Sequence, residues 1–353
     1  MPAEQLLVVL PSWVGDVVMA TPALRAIRAR FADARITYLQ RPYIGELLAG
    51  CDWFDAVEHW PLGKYSPAGH ARLIRRLRRR SIDTAILFPN AFRAAALMRL
   101  AGARRRIGYA RDGRGWLLTD RLAPKRNGRK FAPVPMLDYY RALAEAAGCS
   151  VNDDRLELRA TPDDEATLDK RLGADDARPL LVLNPGAAFG PAKCWPAERY
   201  ATLADRLSTD HGLRTVVSCG PKERAVADAV RAAARVPLTV FAEPPLGLGP
   251  LKALVRRARL MITNDTGPRH FAAAFGTPVV TIFGSSDPSW TDTRHPLERK
   301  VMTSLDCQPC MQRVCPLGHH RCMTDLTVDI AAEAAEALLA AAADRVTPAA
   351  SSR

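Results

Sequence analysis

The stretch Asn184-Pro185-Gly186-Ala187-Ala188-Phe189-Gly190-Pro191-Ala192-Lys193-Cys194-Trp195-Pro196 combines small side chains with a single lysine. It follows the apolar run 180–183 and precedes a segment, 197–207, whose apolar residues recur at helical spacing. A loop of this kind between a strand and a helix suits a phosphorylated ligand. Backbone N–H groups approach closely where side chains are small, the helix start adds partial positive charge, and Lys193 adds a full one. The Gly-Lys-Ser/Thr ending of a P-loop is absent, so the chemistry is of another kind. Asn184, Gly186, Ala187 and Lys193 are the candidate contacts here. A second such loop is Thr263-Asn264-Asp265-Thr266-Gly267-Pro268-Arg269-His270. The N–H groups of Thr266 and Gly267 and the Thr266 hydroxyl suit phosphate oxygens, Asp265 suits sugar hydroxyls, and His270 can donate to a phosphate. The plainer alternative is that Asp265 caps a helix, Pro268 fills its first turn and His270 packs. Two phosphate-type loops in one domain favour a diphosphate. In the first half, Val9-Leu10-Pro11-Ser12-Trp13-Val14-Gly15-Asp16 leaves a strand and enters a helix. Gly15 admits a ligand to the backbone. Asp16 is either an N-cap or a general base within reach of an acceptor hydroxyl.

Strands alternating with helices must position these loops. Strand patterns fall at 6–10, 35–40 and 84–88, and helix patterns at 16–31, 69–80, 91–101 and 137–147. Residues 104–135 read as irregular loops. The second half repeats the scheme, with strands at 180–183, 215–218, 238–241, 260–263 and 278–283. Its helices are expected at 197–209, 222–234, 251–257 and 267–275, with a closing helix at 328–345 and a frayed tail at 347–353. This alternation predicts an α/β protein of two doubly wound, Rossmann-like domains with parallel sheets, divided as 1–172 and 173–345. Ligands in such sheets bind at the carboxyl ends of the strands, and two such domains facing a shared interdomain cleft would hold two substrates.

The net charge of +13 is carried entirely by residues 1–150, which hold 25 Lys and Arg against 12 Asp and Glu. A field of that sign suits an anionic partner, whether nucleic acid, an acidic membrane surface or a substrate with carboxylates and phosphates. A solvated arginine-rich face is the plainer reading of Arg72, Arg75, Arg76, Arg78, Arg79 and Arg80. No apolar stretch approaches the ~20 residues of a membrane span, and the first residues lack a basic signal-peptide region. The expectation is therefore a cytoplasmic protein, whose eight cysteines are reduced thiols or metal ligands rather than a disulfide framework.

Taken together, the three blocks resemble the ADP-heptose:lipopolysaccharide heptosyltransferases of glycosyltransferase family nine, with the heptosyltransferase II branch nearest. The donor-loop signature is the most specific part. It comprises Pro185-Gly186-Ala187, Phe189-Gly190-Pro191-Ala192-Lys193 and Trp195-Pro196. Pro11 to Asp16, Asn264 to Gly267 with His270-Phe271-Ala272-Ala273-Ala274, and Gly284-Ser285-Ser286-Asp287-Pro288 add to it. Phe88-Pro89-Asn90-Ala91-Phe92-Arg93 and Arg106-Ile107-Gly108-Tyr109 are similar to the family's acceptor domain. Pro268-Arg269 departs from the more usual apolar pair.

The resemblance implies a GT-B fold and inverting transfer of L-glycero-D-manno-heptose from ADP-heptose to a heptose on the lipopolysaccharide inner core. It implies Asp16 as base, with Lys193, Thr266, Gly267 and His270 offsetting charge on the departing ADP, and Glu223 on the ribose. Ser12, Trp13, Gly15, Arg93, Arg106 and Arg111 would meet an acceptor bearing carboxylates and phosphates. No metal or other cofactor is required for the transfer, and no Asp-x-Asp triplet is present. Arg75 to Arg80 would touch anionic lipid at the cytoplasmic face of the inner membrane.

Cys307, Cys310, Cys315 and Cys322 stand apart from that apparatus. The Cys-x2-Cys pair has zinc-ligand spacing, but the second pair is irregular for a zinc ribbon, so a structural zinc, disulfides and packed thiols all remain open. Two other functions compete: a different sugar-nucleotide GT-B enzyme (heptosyltransferase I type, another sugar or an epimerase), and a basic zinc-containing nucleic-acid-binding protein. The last ranks lowest, because few aromatics interleave the arginines and nucleic acid leaves the phosphate loops without a role.

Overall fold

The computed structural model describes residues 3–61, 66–128, 130–173 and 176–344. The chain divides into two compact units: Met1–Arg159 with Ser289–Asp292, and Ala160–Pro288 with Thr293–Arg353. In the first unit the elements are β1 (Gln5–Val9), α1 (Val14–Met19), α2 (Thr21–Arg30), β2 (Arg35–Gln40), α3 (Ile44–Leu48), β3 (Ala56–His59) and α4 (Pro67–Arg80). They continue with β4 (Thr84–Leu87), α5 (Phe92–Leu100), β5 (Arg105–Tyr109), β6 (Asp120–Leu122), the hairpin β7 (Arg126–Asn127) and β8 (Lys130–Phe131), and α6 (Met136–Ala146). The second unit holds α7 (Pro162–Leu172), β9 (Leu180–Asn184), α8 (Ala197–His211), β10 (Arg214–Ser218), α9 (Arg224–Ala233), β11 (Leu238–Phe241) and α10 (Leu248–Arg257). It ends with β12 (Ala258–Asn264), α11 (Arg269–Phe275), β13 (Val279–Ile282), β14 (Glu298–Val301), α12 (Arg321–Thr324) and α13 (Val328–Asp344).

Each unit carries one six-stranded parallel sheet, ordered β3-β2-β1-β4-β5-β6 and β11-β10-β9-β12-β13-β14. The orders are the same, and the doubly wound α/β expectation is met. Central strands such as β9 are buried along their whole length, as a strand covered by helices on both faces must be. In the second unit Leu181, Leu183 and Ile262 meet the apolar faces of α8 and α13 (Tyr200, Leu203, Leu207, Ala331, Leu338). In each sheet the order in which strands are added reverses between the first and fourth strands, which places the ligand-binding crevice beyond β1/β4 and beyond β9/β12.

Several expectations change. The second unit begins at Ala160, not at 173, because α7 is fastened to α10. Lys252 Nζ lies 3.4 Å from Asp164, and Glu165 pairs with Arg256 at 2.7 Å and with Arg257. The region 104–135 is not wholly irregular, since it contributes β5 and β6; Arg105 is held at 2.8 Å by Asp120, which lets two charged strand starts pair. The helix expected over 16–31 is two, α1 and α2, with Pro22 in the first turn of the second. In the arginine-rich α4, Arg76 and Arg80 are engaged internally by Glu58 of β3, both at 2.9 Å. Among the described residues no helix is long and apolar enough to cross a membrane. Arg345 and the tail 347–353 lie outside the described residues.

Candidate active site

Beyond β9 and β12, two loops lie side by side, because Asn184 pairs in register with Thr263. Asn264, the last residue of β12, shapes the first of them. Its Nδ2 donates to the carbonyls of Pro185 (2.6 Å) and Gly186 (3.3 Å), while its Oδ1 accepts from Trp195 N–H (3.2 Å) and the Tyr200 hydroxyl (3.0 Å). All four capacities of this buried amide are met, so the loop's two ends are fixed to one side chain. Asn184 acts similarly, donating to Thr263 and Thr266 hydroxyls and accepting from Ser218. Its buried amide braces the floor of the crevice.

Lys193 crosses from the first loop to the second. Its Nζ lies 2.6 Å from Asp265 Oδ2 and 3.3 Å from the Asp265 carbonyl, with the Phe189 ring 4.9 Å away. Ser286 also donates to Oδ2, at 2.7 Å, and Arg269 holds Oδ1 at 3.0 Å. Burial alone would push the Asp265 carboxyl up; Arg269 and Lys193 outweigh it and hold the group below the usual carboxylate range. Asp265 is thus the hub of a charge network and not a helix cap; Pro268 takes that position. Among the described residues the N–H groups of Thr266 and Gly267 meet no acceptor, so they remain available to an anion. His270 is buried, and that burial, with Arg269 beside it, pushes its imidazole down to about 3. It is therefore neutral at physiological pH, and among the described residues its Nδ1 has no partner. Glu223 precedes α9 and accepts from Gly220 N–H at 2.7 Å. Its carboxylate lies over Gly186, where a Cβ would sit 2.1 Å from Oε2, so a side chain at this position would displace the Glu223 carboxylate. Ala187 follows, half-buried.

In the first unit Asp16 is on the first turn of α1, and Trp13 occupies the N-cap. The cap alternative for Asp16 therefore falls. Its Oδ1 accepts from the Tyr140 hydroxyl of α6 at 2.7 Å. Burial pushes the Asp16 carboxyl above its usual value, and the Tyr140 bond offsets part of the rise. Removing that bond in Tyr140→Phe should raise the carboxyl further. If this carboxylate is the catalytic base, the acid limb of the pH–rate profile should then move to higher pH. A limb that stays in place would show that Tyr140 does not tune this group.

Ser12 and Trp13 are exposed between β1 and α1, and the Ser12 carbonyl accepts from the Tyr43 hydroxyl. Gly15 is buried within α1. The three arginines expected to meet an anion are used differently. Arg93 is exposed and stacks on Trp60, 5.2 Å to the centroid. Arg111 stacks 4.0 Å over Phe131, near Asp112 at 3.5 Å. Arg106 is turned inward, donating to the carbonyls of Leu117 (2.7 Å) and Ala103 (2.5 Å). The residue not anticipated is Arg114. It is fully buried, with neutral partners at Tyr109 and Pro89 carbonyls and Asn90 Oδ1, and burial pushes it down to about 10. It braces the loops that follow β4 and β5.

Cys307, Cys310, Cys315 and Cys322 line one small cavity together with Ala192 and Ser285. All are free thiols, and among the described residues no three His, Cys, Asp or Glu side chains are arranged to hold a metal ion. The segment does reach the donor loop. The Arg313 carbonyl accepts from Ala192 N–H at 3.1 Å, and its guanidinium lies 5.0 Å from the Phe189 centroid.

The chain is 28% identical to lipopolysaccharide heptosyltransferase 2 of Escherichia coli K12, over 95% of this chain and 98% of that protein. It is 28% identical to lipooligosaccharide heptosyltransferase 2 of Haemophilus influenzae, over 95% and 99%. The solved structure of E. coli ADP-heptose LPS heptosyltransferase II superposes with a TM-score of 0.79 at 26% identity, covering 96% of this chain and 99% of that one. The two doubly wound units are accordingly those of the GT-B fold. The family model for glycosyltransferase family 9 (heptosyltransferase) matches residues 70–321, most of the chain. The protein belongs to glycosyltransferase family 9.

Proposed function

We propose that this glycosyltransferase moves L-glycero-D-manno-heptose from ADP-heptose to the inner core of lipopolysaccharide, with heptosyl-Kdo2-lipid A as acceptor and inversion at the anomeric carbon. The observation that carries the reading is the second unit's diphosphate cradle. There a lysine, two unengaged N–H groups and a neutral imidazole surround the Asp265 hub, in a chain similar throughout to heptosyltransferases of the second type. In the transfer, Asp16 takes the proton from the acceptor hydroxyl as the oxygen attacks the anomeric carbon. The bond from that carbon to the β-phosphate oxygen breaks, and Lys193 with the Thr266 and Gly267 N–H groups offsets the charge on ADP. His270 contributes a hydrogen bond, not a charge. In this reading Glu223 accepts from the ribose hydroxyls, and the basic first unit meets the anionic core. No cofactor enters this reading. The zinc alternative at Cys307, Cys310, Cys315 and Cys322 is decided by metal analysis of protein purified under reducing conditions. The enzyme works at the cytoplasmic face of the inner membrane, where the exposed arginines of α4 (Arg72, Arg75 and Arg79) suit anionic head groups.

The test compares ADP-heptose turnover on Kdo2-lipid A that bears one heptose with turnover on the heptose-free acceptor. Transfer to the heptose-bearing acceptor is expected. Transfer confined to the heptose-free acceptor would make this a first-heptose enzyme instead.

A further inference from the structure

Arg269 enters the site only as a partner of Asp265 and Glu298 does not enter it, yet both side chains are almost wholly buried, 1% and 3% exposed. Arg269 Nε meets Glu298 Oε1 at 2.5 Å and Nη2 meets Oε2 at 3.2 Å, a two-pronged contact between α11 and β14. The Thr281 hydroxyl of β13 donates to the same Oε1 at 2.5 Å. Arg269 Nη1 continues to Asp265 Oδ1, whose other oxygen faces Lys193 and Ser286. Charges therefore alternate along one line, Glu298, Arg269, Asp265, Lys193, from the edge of the sheet to the lysine that faces the ligand. Such a buried pair is a weak device for stability, because well-packed apolar residues of similar volume often serve as well or better. Its geometry suits another purpose. Two fixed contacts on Glu298 leave the Arg269 fork one direction in which to meet Asp265, which sets the rotation of that carboxylate and hence the place of the Lys193 ammonium.

We propose that Arg269 and Glu298 are positioning residues for donor diphosphate binding, acting through Asp265 on Lys193. This rests on the function proposed above. In Glu298→Gln the fork loses its carboxylate partner, Arg269 is drawn more strongly onto Asp265, and Lys193 loses its fixed place.

The experiment measures ADP binding by calorimetry, together with KM for donor and for acceptor. The variants are Glu298→Gln, Lys193→Met, their combination, and the apolar pair Arg269→Met with Glu298→Leu. That last variant leaves no unpaired buried charge and so keeps the test open if Glu298→Gln folds poorly. Glu298→Gln is expected to weaken ADP binding and raise donor KM by about five-fold or more, with acceptor KM unchanged. In the Lys193→Met background the same change should have less than about a two-fold effect, the non-additivity of residues acting in one network. A merely structural role would lower the melting temperature and shift ADP binding equally in both backgrounds, which overturns the proposal. So does ADP affinity within two-fold of the parent, roughly the limit of additive behaviour, in both Glu298→Gln and the apolar pair. A parent chain that fails to bind ADP would overturn the donor reading itself, a result distinguishable from either.

Discussion

Asp16→Asn should abolish transfer while ADP binds as before. Asparagine keeps the volume and can still accept the Tyr140 hydroxyl, so α1 and α6 stay joined and the fold is little disturbed. What is lost is a group able to take a proton, worth about 10²- to 10⁴-fold in rate for general-base catalysis. Asp16 is in the first unit, and the residues proposed to hold ADP are in the second, so nucleotide affinity is predicted to be unchanged. Initial rates with saturating ADP-heptose and acceptor, paired with ADP calorimetry, separate the two effects. The native enzyme should also lose activity on acidification at a pH above that of an ordinary carboxylate. Burial raises this group, the base works only when ionised, and protonation therefore begins earlier as pH falls. Near-native turnover in Asp16→Asn would remove this carboxylate from the mechanism.

Lys193→Met carries the second large effect and acts on the other substrate. The ammonium reaches Asp265 at 2.6 Å and is only partly exposed, so its charge is poorly screened by water. Deleting one such preorganised charge costs about 10²- to 10³-fold in kcat, near 3–4 kcal/mol. It also leaves the Asp265 carboxylate facing the incoming diphosphate without its nearest cation, so ADP affinity should fall as well. The protein should nevertheless fold. Removing one member of a buried pair is costly when the other is stranded, but Asp265 retains Arg269 and Ser286. Rate and affinity should drop together while the melting temperature changes little. Unaltered ADP binding and kcat in this variant would show that the loop holds something other than the pyrophosphate.

The residues differ in how openly they announced these roles. The inner strands β1, β9 and β12 were legible because a strand buried on both faces is an unbroken apolar run. The edge strands β3, β6 and β14 were not, because each contains charged residues. Glu58 meets Arg76 and Arg80, Asp120 meets Arg105, and Glu298 meets Arg269, pairings that local periodicity cannot reveal. Lys193 and Asp265 were each visible from loop chemistry, but their pairing joins positions 72 residues apart. Tyr140 is 124 residues from Asp16, on a helix whose pattern marks it only as an apolar contact. Arg269 stands out in the sequence only as a departure from the usual apolar pair, and burial beside Glu298 gives it a partner. Arg106 misled for the opposite reason: an arginine in a basic stretch looks available until main-chain carbonyls are found to occupy it.

The hold of Asn264 on the loop bears on which of its positions tolerate change. It grips the donor loop through the Pro185 and Gly186 carbonyls at one end and the Trp195 N–H at the other, all main-chain atoms. The path of the intervening backbone is thereby uncoupled from the identity of the side chains along it. A change of side chain at the exposed Ala188, in the middle of the loop, should therefore leave both anchored ends of the loop where they are.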